Sequence, residues 1–147
     1  MPQRPHITVA TVVERDGLFL MVKENIDGKI VYNQPAGHLE LDESLVAAAQ
    51  RETQEETGWS VRVTHLLGIY HYTSPANSIC YVRHCFIATP LIMLPEVILD
   101  KEIIFAVWLS LDEIHALRTE LRSPMVITAI TDYLQGKRFP LSIINDR

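Results

Sequence analysis

Gly37-His38-Leu39-Glu40-Leu41-Asp42-Glu43, followed seven residues later by Arg51-Glu52-Thr53-Gln54-Glu55-Glu56-Thr57-Gly58, is the stretch on which the rest depends. The segment between, Ser44 to Thr57, reads as a helix. Alanines fill its interior, Asp42 or Ser44 can cap its start, and Gly58 can end it. A helix advances about 100° per residue, so with Glu52 at zero, Glu55 falls at about −60° and Glu56 at about +40°. All three carboxylates share one sector. Leu45, Val46, Ala49 and Thr53 occupy the adjoining sector, which is the expected packed face, and Gln50 and Gln54 point the other way.

An ordinary solvated helix face alternates sign, with a base four residues after each acid. Here Glu52 meets Glu56 at that spacing and Glu55 at three, and only Arg51 compensates, four residues before Glu55. Acids in the last turn also oppose the helix dipole. A bound cation would offset both costs. Three carboxylates with no Cys or His in their sector suit a hard divalent ion, Mg²⁺ first and Mn²⁺ as an alternative. Such an ion bridges acidic side chains to a polyphosphate and activates water against phosphorus. The residues alone therefore point to metal-dependent phosphoryl hydrolysis of an unnamed substrate.

Working outward, the chain has 147 residues with 48% hydrophobic and 21% charged, enough for one packed domain over 1–147 and against disorder. Eighteen acids and thirteen bases give a net charge of −5. Six of those acids and one base lie between Gly37 and Gly58, so that segment holds the entire excess. An acidic balance argues against stable nucleic-acid partners and against an anionic membrane surface. Met1 to His6 shows no secretory pattern, and the longest apolar run, Ile103 to Leu109, is too short to span a bilayer. A cytoplasmic protein, monomeric or homodimeric, is expected. Cys80 and Cys85 sit at an odd spacing in a strand-like stretch, so they face opposite ways and are expected as unpaired, buried thiols.

Before the helix, Ile7 to Glu14 and Leu18 to Val22 form a hairpin around Asp16-Gly17. Lys23 to Lys29 reads as a polar loop, Val31 to Gln34 as a short strand and Ala36 to Glu43 as a loop. After it, Val61 to Tyr72, Ile79 to Thr89 and Phe105 to Leu109 read as strands, and Leu111 to Arg118 and Pro124 to Gln135 as closing helices. Strands, helix, strands, helices predict an α+β domain with helices packed on a mixed sheet.

The quoted stretch resembles the Nudix box: Gly, five residues, Glu, seven residues, then Arg-Glu-U-x-Glu-Glu-x-Gly-U, with U bulky and apolar. Gly37, Glu43, Arg51, Glu52, Glu55, Glu56 and Gly58 all fall in register, and Trp59 fills the last U. Thr53 departs from the first U, and Ala36-Gly37 stands where Gly-Gly is frequent. The resemblance implies the Nudix fold, an α/β/α sandwich with a mixed central β-sheet. It implies metal binding by Glu52, Glu55, Glu56 and the Gly37 carbonyl, with Arg51 as an orienting ion-pair partner. It implies Glu52, Glu55 or Glu102 as the catalytic base, Glu102 lying six residues before Trp108. Asn33 to Glu40, Leu121-Arg122-Ser123-Pro124 and Arg138-Phe139-Pro140-Leu141 are similar to the NudJ-type phosphatases of that family. That likeness implies phosphate release from nucleoside tri- and diphosphates and from hydroxymethylpyrimidine and thiamin pyrophosphates. The competing expectations are a pyrophosphatase acting on dinucleotides, ADP-ribose or capped RNA, and a non-catalytic nucleotide-sensing module.

Four further residues are candidates for a small phosphate-anhydride substrate. Arg122, followed by Ser-Pro at a helix start, and Arg83, on a strand, are placed to meet phosphate. Tyr32 and Tyr72 can stack on a ring. His38 is a candidate for positioning water beside the metal. Trp108 is expected in the core.

Overall fold

Two tight turns of one kind set the first three strands of the computed structural model, which describes residues 4–146. Asp16-Gly17 and Asp27-Gly28 both take positive φ at both positions, the twist that suits two-residue hairpins. They join β1 (His6–Arg15), β2 (Leu18–Ile26) and β3 (Lys29–Asn33). Lys23 to Lys29 is thus strand and turn rather than the expected loop. Its polar composition misled because β2 there lines a cleft, and Glu24 is buried in it. Ala36 to His38 likewise forms a short strand, β4, paired antiparallel to β1, where a loop was expected. Three residues with one glycine give too little alternation to register as a strand.

The helix forms as read: α1 (Leu45–Thr57) is capped by the Ser44 hydroxyl, which accepts from the Ala47 N–H, and ends at Gly58 with φ +78°. Then follow β5 (Trp59–Thr73), β6 (Cys80–Met93), β7 (Ile103–Ser110), α2 (Leu111–Ala116) and α3 (Met125–Leu134). The expected strands stop short of the observed ends: β2 runs on through the polar Lys23, Glu24 and Asn25, and β6 continues through Pro90 to Met93, paired with β5.

β1 is the hinge of the topology. It pairs parallel with β6 and antiparallel with β4, while β6 pairs antiparallel with β5. Its ladder with β2 covers only the Asp16-Gly17 end, Glu14 with Phe19 and Arg15 with Leu18. Away from that end β3 takes its place beside β2, from Val22 to Ile26, while β7 pairs with β2 from Leu18 to Glu24. The mixed sheet therefore divides into two leaves joined at one corner.

Alternation along β1 feeds a core on each face. Val9 and Val13 pack with Ala48 and Ala49 of α1, and with Phe86. Ala10 and Val12 pack with Ile114 of α2 and with Val126, Ala129 and Ile130 of α3. Helices thus cover both faces, the α/β/α sandwich expected.

Thr53, the departure at the first U position, makes a polar contact of its own. It is fully buried, its Oγ1 lies 2.8 Å from Thr11 Oγ1, and it donates to the Ala49 carbonyl at 2.7 Å. A hydroxyl pair replaces the expected apolar contact with its polar atoms satisfied. Gln50, expected outward, instead accepts the Val63 N–H at 3.1 Å and ties α1 to β5. Cys80 and Cys85 are free as expected. Cys85 is buried, and that burial pushes its thiol up to about 11. Cys80 is only half-buried, 3.1 Å from His71 Nε2, since it opens β6 outside both cores. Trp108 is half-buried, edge-on to Trp59 at 5.6 Å and under the Arg15 guanidinium, at the rim of the core rather than inside it.

Candidate active site

The gap between the two leaves is a cleft of about 340 Å³. Thr8 and β4 line one side, Glu24, Ile26 and Asn33 the other, and Ser123 and Met125 close it at the start of α3. Glu52 and Glu56 of α1 reach into it beside β4.

Gly37 is what lets Glu52 in. A Cβ there would lie 2.1 Å from the Glu52 Cδ and 2.2 and 2.4 Å from its two oxygens. The Gly37 φ is not positive, so space and not backbone freedom demands the glycine. Burial pushes the Glu52 carboxyl up to about 7, although Arg51 pulls it down. One oxygen each of Glu52, Glu55 and Asp100 lie within 4.8 Å of one another. An all-oxygen set of this span fits a hard divalent cation. Asp100 is the member that sequence reading missed. Its N–H donates to the Glu55 carbonyl at 3.2 Å, which lays the loop before β7 over the end of α1. Burial, and then Glu102, push its carboxyl up.

Glu56 stands deeper. It is 8% exposed and accepts the Ala36 N–H at 2.9 Å, and burial pushes its carboxyl up to about 9. It lines the cleft with one oxygen engaged by backbone. Glu102 also lines the cleft, exposed, and its carbonyl accepts the Asn25 N–H at 2.8 Å.

Arg51 does not line the cleft; it gathers carboxylates of which Glu52 lines the cleft and Glu43 and Glu55 do not. It forks onto both oxygens of Glu43 at 2.7 and 3.0 Å, and reaches Glu52 at 2.8 Å, Glu55 at 3.1 Å and the His38 carbonyl at 3.1 Å. These bonds hold the Glu43 carboxyl below the usual range. The planar fork suits such a task better than a lysine.

Two arginines share the cleft with these carboxylates. Arg83 is buried on β6; its Nη2 donates to Asn33 Oδ1 at 3.2 Å, and its Nε has no partner among the described residues. Arg122 donates to Glu24 Oε2 at 2.7 Å, and its N–H is held by the Tyr32 carbonyl at 2.8 Å. Glu24 gave no sequence signal, being one acid in a polar run. Burial pushes its carboxyl up, and Arg122 opposes this.

Of the two tyrosines, Tyr72 lines the cleft. Tyr32 does not: its ring packs on the α3-side core and under the Lys23 ammonium at 5.6 Å, and it serves the site through its carbonyl. His38 lines the cleft with Nε2 2.9 Å from His6 Nδ1. Burial and the His6 ring push its imidazole down.

The chain matches the model of the NUDIX domain over residues 2–128. It belongs to the NUDIX family. Phosphatase NudJ of Escherichia coli K12 is 42% identical over 97% of this chain and 92% of its own length. A NUDIX hydrolase from Nitrosomonas europaea superposes with a TM-score of 0.96, at 43% identity and 98% coverage of both chains. An ADP-ribose pyrophosphatase from Streptococcus suis, 19% identical, shares the fold with a TM-score of 0.70 over 92% of this chain and 96% of its own. The likeness to NudJ and to the Nitrosomonas protein runs through both leaves of the sheet and all three helices, far beyond the Nudix box. The chain is a NudJ-type Nudix hydrolase in sequence and fold.

No helix among the described residues is long and apolar enough to cross a membrane.

Proposed function

We propose that this Nudix hydrolase releases phosphate from nucleoside tri- and diphosphates and from pyrimidine pyrophosphates of the thiamin type, with Mg²⁺ as the preferred ion and Mn²⁺ as a substitute. One observation carries this reading: carboxylates line a single cleft together with the buried Arg83 and the exposed Arg122. The carboxylates suit a cation and the two arginines the anion that follows it. The 42% identity to relatives named as phosphatases supports phosphate release over other Nudix outcomes.

Glu52, Glu55 and Asp100, with Glu56 and the Gly37 carbonyl behind them, would hold the ion. When bound, the ion polarises a phosphoryl oxygen and acidifies the attacking water. Arg83 and Arg122 neutralise and orient the phosphate chain. Water adds to the terminal phosphorus, the anhydride P–O bond breaks, and orthophosphate leaves. The water proton passes to a carboxylate, for which Glu52, Glu55 and Glu102 are the candidates. Arg51 keeps Glu52 and Glu55 in place.

A substrate panel with and without Mg²⁺ tests this. Free orthophosphate from nucleoside tri- and diphosphates and pyrimidine pyrophosphates supports it. Pyrophosphate plus nucleoside monophosphate, or two monophosphates from dinucleotides, ADP-ribose or capped RNA, rejects it. Nucleotide binding without turnover would instead indicate a sensing module. Folded Glu56→Gln is expected to lose metal-dependent phosphate release, and normal turnover by that variant overturns its assignment.

A further inference from the structure

Past Arg83, the floor of the cleft changes from charged to aromatic. Strand registers place His6, Tyr81 and Tyr72 side by side in one row across β1, β6 and β5. The neighbouring row holds Thr8, Arg83 and Tyr70. Two residues of strand separate the rows, roughly 7 Å. Tyr72 and Tyr81 are half-buried, line the cleft and belong to neither core. Neither ring is taken up by a core, unlike those of Tyr32, Tyr70 and Tyr133.

The Tyr81 ring is held in place from two directions. His6 stands edge-on to it at 5.7 Å. Asn77, in the turn between β5 and β6, donates from Nδ2 to the Tyr81 hydroxyl at 3.0 Å. The Ile79 N–H donates to Asn77 Oδ1 at 2.9 Å, which fixes which end of the amide meets the tyrosine. The Tyr81 oxygen therefore accepts, and its proton remains free to donate.

We infer that Tyr72 and Tyr81 form a subsite for a planar heteroaromatic ring bearing a hydrogen-bond acceptor, joined to the phosphate chain that Arg83 meets. This deepens the phosphohydrolase reading and rests on it. The ring stacks on the tyrosine surface while the Tyr81 hydroxyl donates to its edge. A phosphate anhydride of a sugar or polyol offers no such face and gains nothing there.

Calorimetric titration in Mg²⁺ separates the two readings. The probes are the α,β-methylene analogues of ADP and UDP, which carry a ring, and methylenediphosphonate, which does not. Wild-type protein is expected to bind at least one nucleoside analogue roughly tenfold or more tighter than methylenediphosphonate, the scale of base stacking. Tyr81→Ala and Tyr72→Ala should each remove most of that advantage and leave methylenediphosphonate binding unchanged. Tyr81→Phe keeps the ring and should retain part of the advantage, which also guards against a misfolded alanine variant. Equal affinity for ringed and ringless probes overturns the subsite alone. So does an equal loss for both in folded Tyr81→Ala. Failure of every probe to bind in Mg²⁺ overturns the phosphate-anhydride reading and this inference with it.

Discussion

Replacing Gly37 by alanine should damage catalysis far more than stability. The added Cβ would sit 2.1 Å from the Glu52 Cδ. Carbon atoms settle at about 3.5–4.0 Å, so one of them must move by roughly 1.4 Å or more. Gly37 is fixed in β4 by its pairing with β1 opposite Val9, whereas the Glu52 carboxylate ends a flexible side chain, so the carboxylate yields. Alanine accepts the backbone conformation, because φ is not positive. The structural loss is then mainly the Arg51–Glu52 bond at 2.8 Å, on the order of 1 kcal/mol. For a chain of this size that lowers Tm by about 2–4 °C. A reacting group misplaced by about 1 Å can cost a hundredfold in rate. Phosphate release in Mg²⁺ should therefore fall by about two orders of magnitude, with weaker Mn²⁺ binding in a titration. Gly136→Ala is the opposite control. Its φ of +87° strains an alanine, but nothing lies within 4 Å, so Tm should drop while turnover stays normal. Wild-type turnover by Gly37→Ala would show that Glu52 need not lie where this cleft holds it. Gross unfolding would show that the glycine serves the fold.

Other consequences can be measured directly. Asp100→Asn should weaken Mn²⁺ binding at least tenfold in a calorimetric titration, as Glu55→Gln should; unchanged affinity would remove Asp100 from the ion site. Glu24→Gln removes the negative charge that Arg122 meets at 2.7 Å, so KM for nucleotide should change several-fold with little change in Mn²⁺ affinity; an altered ion affinity with KM untouched would contradict this. Stability in a chelator should depend on pH with a definite sign. Burial raises Glu56 to about 9 and Glu52 to about 7 in the folded chain, above the ordinary 4.5. The folded state thus holds protons that the unfolded state releases, so Tm should fall as pH rises from about 5 to about 9. Mg²⁺ should recover more at the alkaline end, and Glu56→Gln should flatten much of the slope; a Tm that rises over that range would refute the assignment.

What could be read in the sequence was what repeats along a local period. Helix α1, its Ser44 cap and its Gly58 stop followed from spacing and residue type, and so did the shared sector of Glu52, Glu55 and Glu56. The Nudix likeness extended this to the α/β/α sandwich. What escaped depends on pairings between distant strands. Glu24 sits in a polar run that looks like a loop until β2 is seen to line a cleft. Only the early parting of β1 and β2 opens that cleft, and no local pattern encodes where a ladder ends.

Asp100 shows the limit most clearly. From the sequence, Glu102 is the candidate in this loop, six residues before Trp108, and Asp100 is not. Yet a strand approach fixes only how far along the chain a residue lies, not which of its neighbours turns inward. That choice is made by the Asp100 N–H reaching the Glu55 carbonyl at 3.2 Å, and by the Ile103 N–H reaching the Asp100 carbonyl at 2.9 Å. These two backbone bonds aim the aspartate at Glu52 and Glu55, while Glu102 stays exposed at the cleft mouth with its carbonyl on Asn25. We propose that the two acids divide the work by position: Asp100 joins the oxygen set of the ion, and Glu102, outside that set, stands beside Glu52 and Glu55 as a candidate base. Loss of ion affinity in Asp100→Asn, beside loss of turnover with ion affinity intact in Glu102→Gln, is the pair of results this division requires.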